Sequence, residues 1–355
     1  MKGSMTLFRS TRTVQARPLV IFLTLALLLN FLPSLVVAQP STPEVTTYGG
    51  GVSTFLSCTA DQCRQGDRQD VFAVEPDTAL HLELGFVQWY PEAKEFRVFL
   101  LLNYQQTPFA VRQDVDRVTS DRAPLGSPIA MPDASEVQPV FEFTAPPERE
   151  FYFEFRTEPL APGYYDLALL FVPDPYKTQH ELRYWTIYRF VIRASVYVGD
   201  QATPPAMDFP LLDSDPHDPV GSGEMLLLGS EPHKLGQAGE QSVRAGEDVT
   251  LAMNYQPYAD NLIGESTPDI PIPTAFIAVI DDRVVPLNGQ PVVHGAVLPG
   301  RISYIPVTVT VPDDPGTHQL FIQHFPNPYV DVVEAEEANL DLVGISSQRL
   351  ILDAR

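Results

Sequence analysis

Apolar and polar residues alternate with a period of two through much of the chain. Leu80, Leu82, Leu84 and Phe86 line one face of residues 74–86, VEPDTALHLELGF, and Phe151, Phe153 and Phe155 line one face of residues 150–157, EFYFEFRT. Such alternation predicts half-buried strands with their apolar side chains in a core. Residues 96–103, FRVFLLLN, and 274–280, TAFIAVI, are apolar almost without a break and predict central strands. Further strands are expected at 52–57, 140–144, 182–198 and 348–355. Proline, glycine and aspartate punctuate these runs, helical periodicity is weak, and aromatic and β-branched residues are plentiful. The chain therefore reads as all-β with rigid connections.

The pattern also repeats. Residues 159–176, PLAPGYYDLALLFVPDPY, recur without a gap at 312–329, PDDPGTHQLFIQHFPNPY, each copy a Pro-Gly corner followed by a strand that stops at Pro-Asp-Pro-Tyr or Pro-Asn-Pro-Tyr. Residues 243–255, VRAGEDVTLAMNY, align with 74–86 and put Val249, Leu251, Met253 and Tyr255 inward. Ile305, Val307, Val309 and Val311 precede the second corner as the three phenylalanines precede the first. RFVIRA at 189–194 and RLILDA at 349–354 match in pattern, which gives both copies the same final strand. One β-unit is thus expected twice, at 52–198 and 224–355. Residues 199–223, rich in Pro and Asp, read as the linker, and 39–51 as a flexible lead. No elements are assigned to the polar, proline-broken passage 105–134.

The corner spacing Gly163-x-Tyr165-x-Leu167, repeated as Gly316-x-His318-x-Leu320, resembles the turn into the penultimate strand of immunoglobulin-like sandwiches. There a tyrosine bonds back to the backbone and the residue two positions on faces the core. VTVTVPDDPGTHQL at 307–320 is similar to the Ig-like, adhesion-type repeats of bacterial exported proteins. The sequence departs from that pattern in having His318 at the second corner and no cysteine pair bridging two sheets. The resemblance implies two tandem immunoglobulin-like β-sandwich domains and, as for such families generally, a role as spacer, adhesin or assembly module.

At 355 residues the chain can fill two cores. Its N-terminus carries Lys2, Arg9, Arg12 and Arg17 without an acid, then an apolar run over 19–29, then Asn30, Pro33 and the small-residue end Val36-Val37-Ala38. This order predicts an export signal over 1–38, cleaved after Ala38. A retained signal anchor is the alternative, but Asn30 and Pro33 interrupt the roughly 20 apolar residues that a span requires. No membrane span is expected in the mature chain. The formal charge is −22, and loss of a basic leader makes the mature chain more acidic still. Nucleic acid and anionic lipid are thereby disfavoured as partners, while cations and basic partners stay open. The expected location is secreted or in the cell envelope, outside the cytoplasm.

Few residues carry candidate chemistry. In an exported chain Cys58 and Cys63, close together in SCTADQC, predict a disulfide across a tight loop, with a zinc or redox motif as the alternative. So small a ring contributes roughly 2 kcal/mol and fixes local shape. Asp213, Asp215 and Asp218 in LLDSDPHDP offer hard oxygens to calcium; the plainer reading is a solvated acidic linker. His318 and His324 share a strand face but stand roughly 20 Å apart, too far to hold one metal. Trp185 falls on the strand face of Arg183, Arg189 and Arg193, where it is either a protein-contact or sugar-stacking residue or a half-covered ring packed on arginine stems. Trp89 and Tyr90, at a strand end, raise the same question. The sequence holds no HExxH, no phosphate-binding glycine loop with its lysine and no GxSxG elbow, and Gly221-Ser222-Gly223 reads as flexibility. The chain therefore reads as a non-catalytic, cofactor-free surface, adhesion or assembly protein acting on another envelope or extracellular protein. A pair of carbohydrate-binding modules with a glycan partner is the alternative. An enzyme would have to show polar residues converging in a cleft at the domain junction.

Overall fold

The structure, a computed structural model, describes residues 52–58, 62, 70–113, 136–148, 150–177, 190–215, 225–230, 240–257 and 270–355. The first unit contains β1 (Val52–Cys58), β2 (Val71–Val74), β3 (Thr78–Gln88), β4 (Lys94–Leu102), β5 (Gln105–Gln106), β6 (Phe109–Gln113), β7 (Phe141–Ala145), β8 (Glu150–Leu160), β9 (Gly163–Pro173) and β10 (Phe190–Val198). After β11 (Ser214–Asp215), the second contains β12 (Met225–Gly229), β13 (Glu240–Val243), β14 (Asp248–Gln256), β15 (Ile272–Ile280), β16 (Arg283–Val285), β17 (Val293–Val297), β18 (Ile302–Thr310), β19 (Gly316–Pro326), a short helix α1 (Val332–Glu337) and β20 (Leu350–Ala354).

The alternating strands form the inner walls of two sandwiches. In the first, the sheet β1-β3-β8-β6 faces the sheet β2-β10-β9-β4-β5, with β7 also paired to β4. Leu80, Leu82, Leu84, Phe86 and the three phenylalanines of β8 are buried between them, beside Phe96, Phe141 and Phe171. The second repeats the plan as β12-β14-β18-β11 against β13-β20-β19-β15-β16, with β17 on β15. Its core holds Leu251, Met253, Tyr255, Ile305, Val307, Val309 and Val311. The first strands of the two facing sheets, β2 and β13, run parallel to β10 and β20, and the other strand pairs are antiparallel. This is the immunoglobulin-like arrangement.

The duplication holds at the level of single hydrogen bonds. The amide of Asp174 donates to Glu95 O at 2.7 Å, and its twin Asn327 to Pro273 O at 2.9 Å. Asn103 Oδ1 accepts from the amide of Asp166, and Asp281 Oδ1 from that of Gln319, both at 2.9 Å. Asn103 and Asp281, and Asp174 and Asn327, all take left-handed φ between 46° and 54°, which Asn and Asp tolerate best among non-glycine residues. Gly163 and Gly316 open β9 and β19 at φ 151° and 148°. A Cβ there would meet nothing within 4 Å, so the backbone angle rather than crowding calls for glycine. Both corners are closed: Tyr165 Oη donates to Ala161 O, and His318 Nε2 to Asp314 O, each at 2.9 Å.

Three differences from the sequence reading follow from pairing that the pattern does not encode. The last strands are equivalent, but Val198 faces Gly163 as Ala354 faces Gly316, so the twin of Ala354 is Val198 rather than Ala194. A four-residue slip preserves a period of two, and apolar alternation alone cannot detect it. Second, part of the expected linker belongs to the second sandwich: Leu212 N donates to Ala296 O at 2.9 Å, and β11 pairs with Ser303 and Ile302 of β18. There it fills the sheet position that β6 takes in the first copy. Third, the units are not separate beads. The outer faces of β4 and β9 (Phe99, Leu101, Ala168, Leu170, Val172) pack on those of β15 and β19 (Ala275, Ile277, Val279, Phe321, Phe325) as a core of their own. Each such Val, Leu, Ile or Phe gains about 1.5–3 kcal/mol on leaving water, so four sheets stack as one body.

His318 gives the second corner a pH dependence that the first lacks. Nδ1 lies 2.7 Å from Asp281 Oδ2 while Nε2 bonds Asp314 O, so only the protonated ring donates at both nitrogens. Burial opposes the charge, but the Asp281 carboxylate and the Asp314 carbonyl outweigh it and raise the pKa. With the folded pKa above the unfolded one, the stabilisation is complete below the unfolded value and is lost as pH rises through the folded value. Because the pair is partly exposed, about 1 kcal/mol or less is at stake. Urea titrations across pH 6 to 9 should show this loss in the native chain and not in His318→Gln.

Candidate contact surface and the domain junction

Among the described residues, one end of the first sandwich carries the most exposed aromatics, Trp89 and Tyr176. Gln88, fully buried at the end of β3, sends Nε2 to Ala145 O at 2.9 Å and to Glu92 O at 3.2 Å, and its Oε1 accepts from the Tyr90 amide at 2.7 Å. This side chain pins the turn that follows, so that Tyr90 is buried while Trp89 keeps 49% of its surface exposed. Below the turn Lys94 Nζ lies 2.9 Å from Asp174, 3.2 Å from Glu92 and 5.9 Å from the Tyr90 ring centre. Lys177 Nζ completes the cluster 3.0 Å from Asp174. Nearby Tyr176, 61% exposed, donates to Glu142 at 2.5 Å and lies under the guanidinium of Arg97, which also bonds Glu142 at 2.6 Å.

Of the other predicted residues, Trp185, Arg183, Arg189, Cys63 and Asp218 lie outside the described residues. Cys58 closes β1, and its side chain is likewise outside them. Asp215 pairs with Ile302 through its backbone, and the Asp213 carbonyl accepts from the Tyr304 amide at 3.2 Å. Asp213 is exposed, and no group of three or more potential metal ligands occurs among the described residues. Trp89 and Tyr90, read together from the sequence, divide: one faces water and the other the core.

Among the described residues, a dense polar cluster lies at the junction of the sandwiches. Arg193, expected on the strand face of Trp185, has a side chain only 2% exposed that points into the second sandwich. It pairs with Asp166 and sends Nη1 to Pro326 O at 2.6 Å and Nη2 to Asn327 O at 3.2 Å. Tyr104 Oη donates to Asp166, as does the Tyr329 amide at 2.7 Å. Arg349 answers from the other side, donating to Pro173 O, Asp174 O and Lys177 O at 2.5, 2.6 and 2.7 Å. In the register of the last strands Arg349 is the twin of Arg193, as Pro173 and Asp174 are the twins of Pro326 and Asn327. The junction is thus isologous: each sandwich offers the same arginine to the same turn of the other, as in a two-fold dimer.

The two arginines differ electrically. Burial works against charge at Arg193, yet Tyr104 and Asp166 overcome it and raise its pKa. At Arg349 burial prevails over the nearby charge of Asp174 and lowers the pKa to about 10. Tyr329 is pushed up to about 12 by burial and then by Asp166. Around α1, Asp331 accepts from Tyr197 and caps the helix through Val333 N, while Ser195 Oγ accepts from Val332 N at 3.0 Å. These side chains are engaged in holding one sandwich to the other. Sequence reasoning missed the junction, although the unbroken apolar runs of β4, β9, β15 and β19 were its signal: a strand covered on both faces loses its alternation.

No protein-family model matches the chain, and no curated protein is significantly similar to it. Among solved structures it is similar to red sea bream transglutaminase, at 8% identity and a TM-score of 0.22, with 86% of this chain and 31% of that one covered. It is also similar to the fibronectin(III)-like modules of Clostridium thermocellum CbhA (8% identity, TM-score 0.19, 85% and 94% covered). A third likeness is to the C-terminal domain of the Streptococcus agalactiae AgI/II polypeptide BspA (7% identity, TM-score 0.21, 86% and 100% covered). The chain thus spans about a third of the length of the transglutaminase. Similarity this slight carries no functional argument.

Proposed function

We propose that this is an exported, non-catalytic protein that presents two locked sandwiches to another envelope or extracellular polypeptide, with the contact centred on Trp89. The observation that carries the reading is the mounting of Trp89: an aromatic ring half in water, on a turn fixed from below by the buried side chains of Gln88 and Lys94. Tryptophan dominates binding energy where it is presented rigidly, because little conformational freedom remains to be lost on association. The leader-like N-terminus supports export. The acidic balance supports a basic partner. The junction supports a structural use of its polar residues, since Arg193, Asp166, Tyr104 and Arg349 are engaged with one another or with backbone.

The test compares the mature chain with Trp89→Ser in quantitative pull-downs from the envelope and culture fractions of its own cells, alongside a glycan array. A hot-spot tryptophan contributes at least about 2 kcal/mol, so the variant should bind the recovered protein about 30-fold more weakly while its melting temperature stays unchanged. Equal recovery by both chains would remove Trp89 from the contact. Binding to a glycan that the variant loses would replace the protein partner with a sugar.

A further inference from the structure

We infer that the outer edge of β7 is a strand-addition site that takes an extended segment of another polypeptide. The inference goes beyond the Trp89 contact, because it stands on backbone groups and on a comparison of the two copies. β7 pairs with β4 on one side, and nothing among the described residues pairs with its other edge. Its twin β17 pairs with β15 in the same way, but there the other edge is occupied. Ala296 N donates to Pro210 O at 2.8 Å and Leu212 N donates to Ala296 O at 2.9 Å, with Leu211 opposite Ala296 in parallel register. An extended Pro-Leu-Leu segment thus adds to β17 through the two backbone groups of one residue.

The counterpart of that residue is Thr144. It faces Glu95 across the ladder as Ala296 faces Pro273, and Glu95 and Pro273 receive the twin hydrogen bonds from Asp174 and Asn327. The N–H and C=O of Thr144 therefore point to the outer edge, as those of Ala296 do. Unpaired edge groups of this kind are a template for a further strand.

The copies also specify the occupant. At Gly295 the side chain of Leu212 occupies the space in which a Cβ would stand, with its atoms 2.6 to 2.8 Å from that position. The first copy has Phe143 there, and its ring already fills the core. A segment added to β7 must therefore carry a small residue where the second copy uses leucine. The strongly acidic chain favours a segment with net positive charge. The partner segment is thus extended, basic and small on its inward side.

The test uses the full mature chain and a synthetic peptide copying residues 206–215 with Leu212 replaced by alanine and its aspartates by lysine. Hydrogen exchange should show the Thr144 amide exchanging fast in the free chain and at least tenfold more slowly with saturating peptide. A peptide N-methylated at the position of Leu212 should give no protection. Thr144→Pro, which removes an outward N–H and leaves the β4 ladder intact, should weaken binding of labelled peptide at least tenfold. The inference fails if the Thr144 amide is already protected in the free chain, if the peptide does not protect it, or if either block leaves binding unchanged.

Discussion

Arg193→Leu is expected to lower the unfolding free energy of the whole chain by about 3–5 kcal/mol, whereas Arg349→Leu at the twin position should cost only about 1–3 kcal/mol. The two side chains hold the same turn in opposite sandwiches, so contact geometry alone would make them equal. Charge separates them. Removing Arg193 strands the Asp166 carboxylate, 2% exposed, with hydrogen-bond donors but no cation. Removal of Arg349 leaves backbone carbonyls short of a donor and at the same time takes out a cation whose burial was unfavourable. Guanidinium denaturation should show the difference as a shift of midpoint at constant slope, in a single transition, because the apolar junction couples the two cores. Adding Asp166→Asn to Arg193→Leu should recover part of the loss. Equal costs for the two arginines, or no recovery in the double variant, would show that the ion pair does not organise the junction.

The same residues show where sequence reading succeeds and where it stops. Leu80, Leu82, Leu84 and Phe86 announce β3 because one face of that strand meets a core and the other does not. The corners are legible because a Pro-Gly turn and a hydrogen-bonding side chain two residues on are local requirements, and His318 meets them as Tyr165 does. Alternation places Arg193, with Trp185, on the strand face opposite the core of its own sandwich. That placement is correct, but the covering partner is another domain, and period-two reasoning sees one sandwich at a time. β11 is illegible for another reason: a two-residue strand, Ser214–Asp215 paired with Ser303 and Ile302, is too short to show any alternation. Of the candidate contact residues, Trp89 and Tyr90 were found together, but which of them faces water is decided by the Gln88 side chain, whose three bonds span a turn and a neighbouring strand.

The largest difference between the copies inside a core is expected to surface in acid. His324 is the twin of Phe171, and the sandwich treats it as an aromatic ring: it is fully buried, with centroids 4.4 Å from Tyr255 and 5.2 Å from Phe276. Burial, and secondarily the charge of Arg193, lowers its pKa to about 3 from an ordinary 6.5. Between those values the unfolded chain binds a proton that the folded chain refuses. Stability from this group is therefore complete above the unfolded pKa and falls as pH drops below it, by about 1.4 kcal/mol per pH unit. From pH 7 to 4.5 the loss should reach about 2–3 kcal/mol, opposite in sign to the effect at His318. His324→Phe adopts the first copy's own solution and should flatten the difference: urea midpoints of variant and native chain, compared at pH 7, 6, 5 and 4.5, should diverge progressively toward acid. Parallel curves would mean that His324 can be protonated without leaving the core. In that case the second sandwich would have to hold a buried cation beside Tyr255, at a cost that only a hydrogen-bonded or ionised partner could offset.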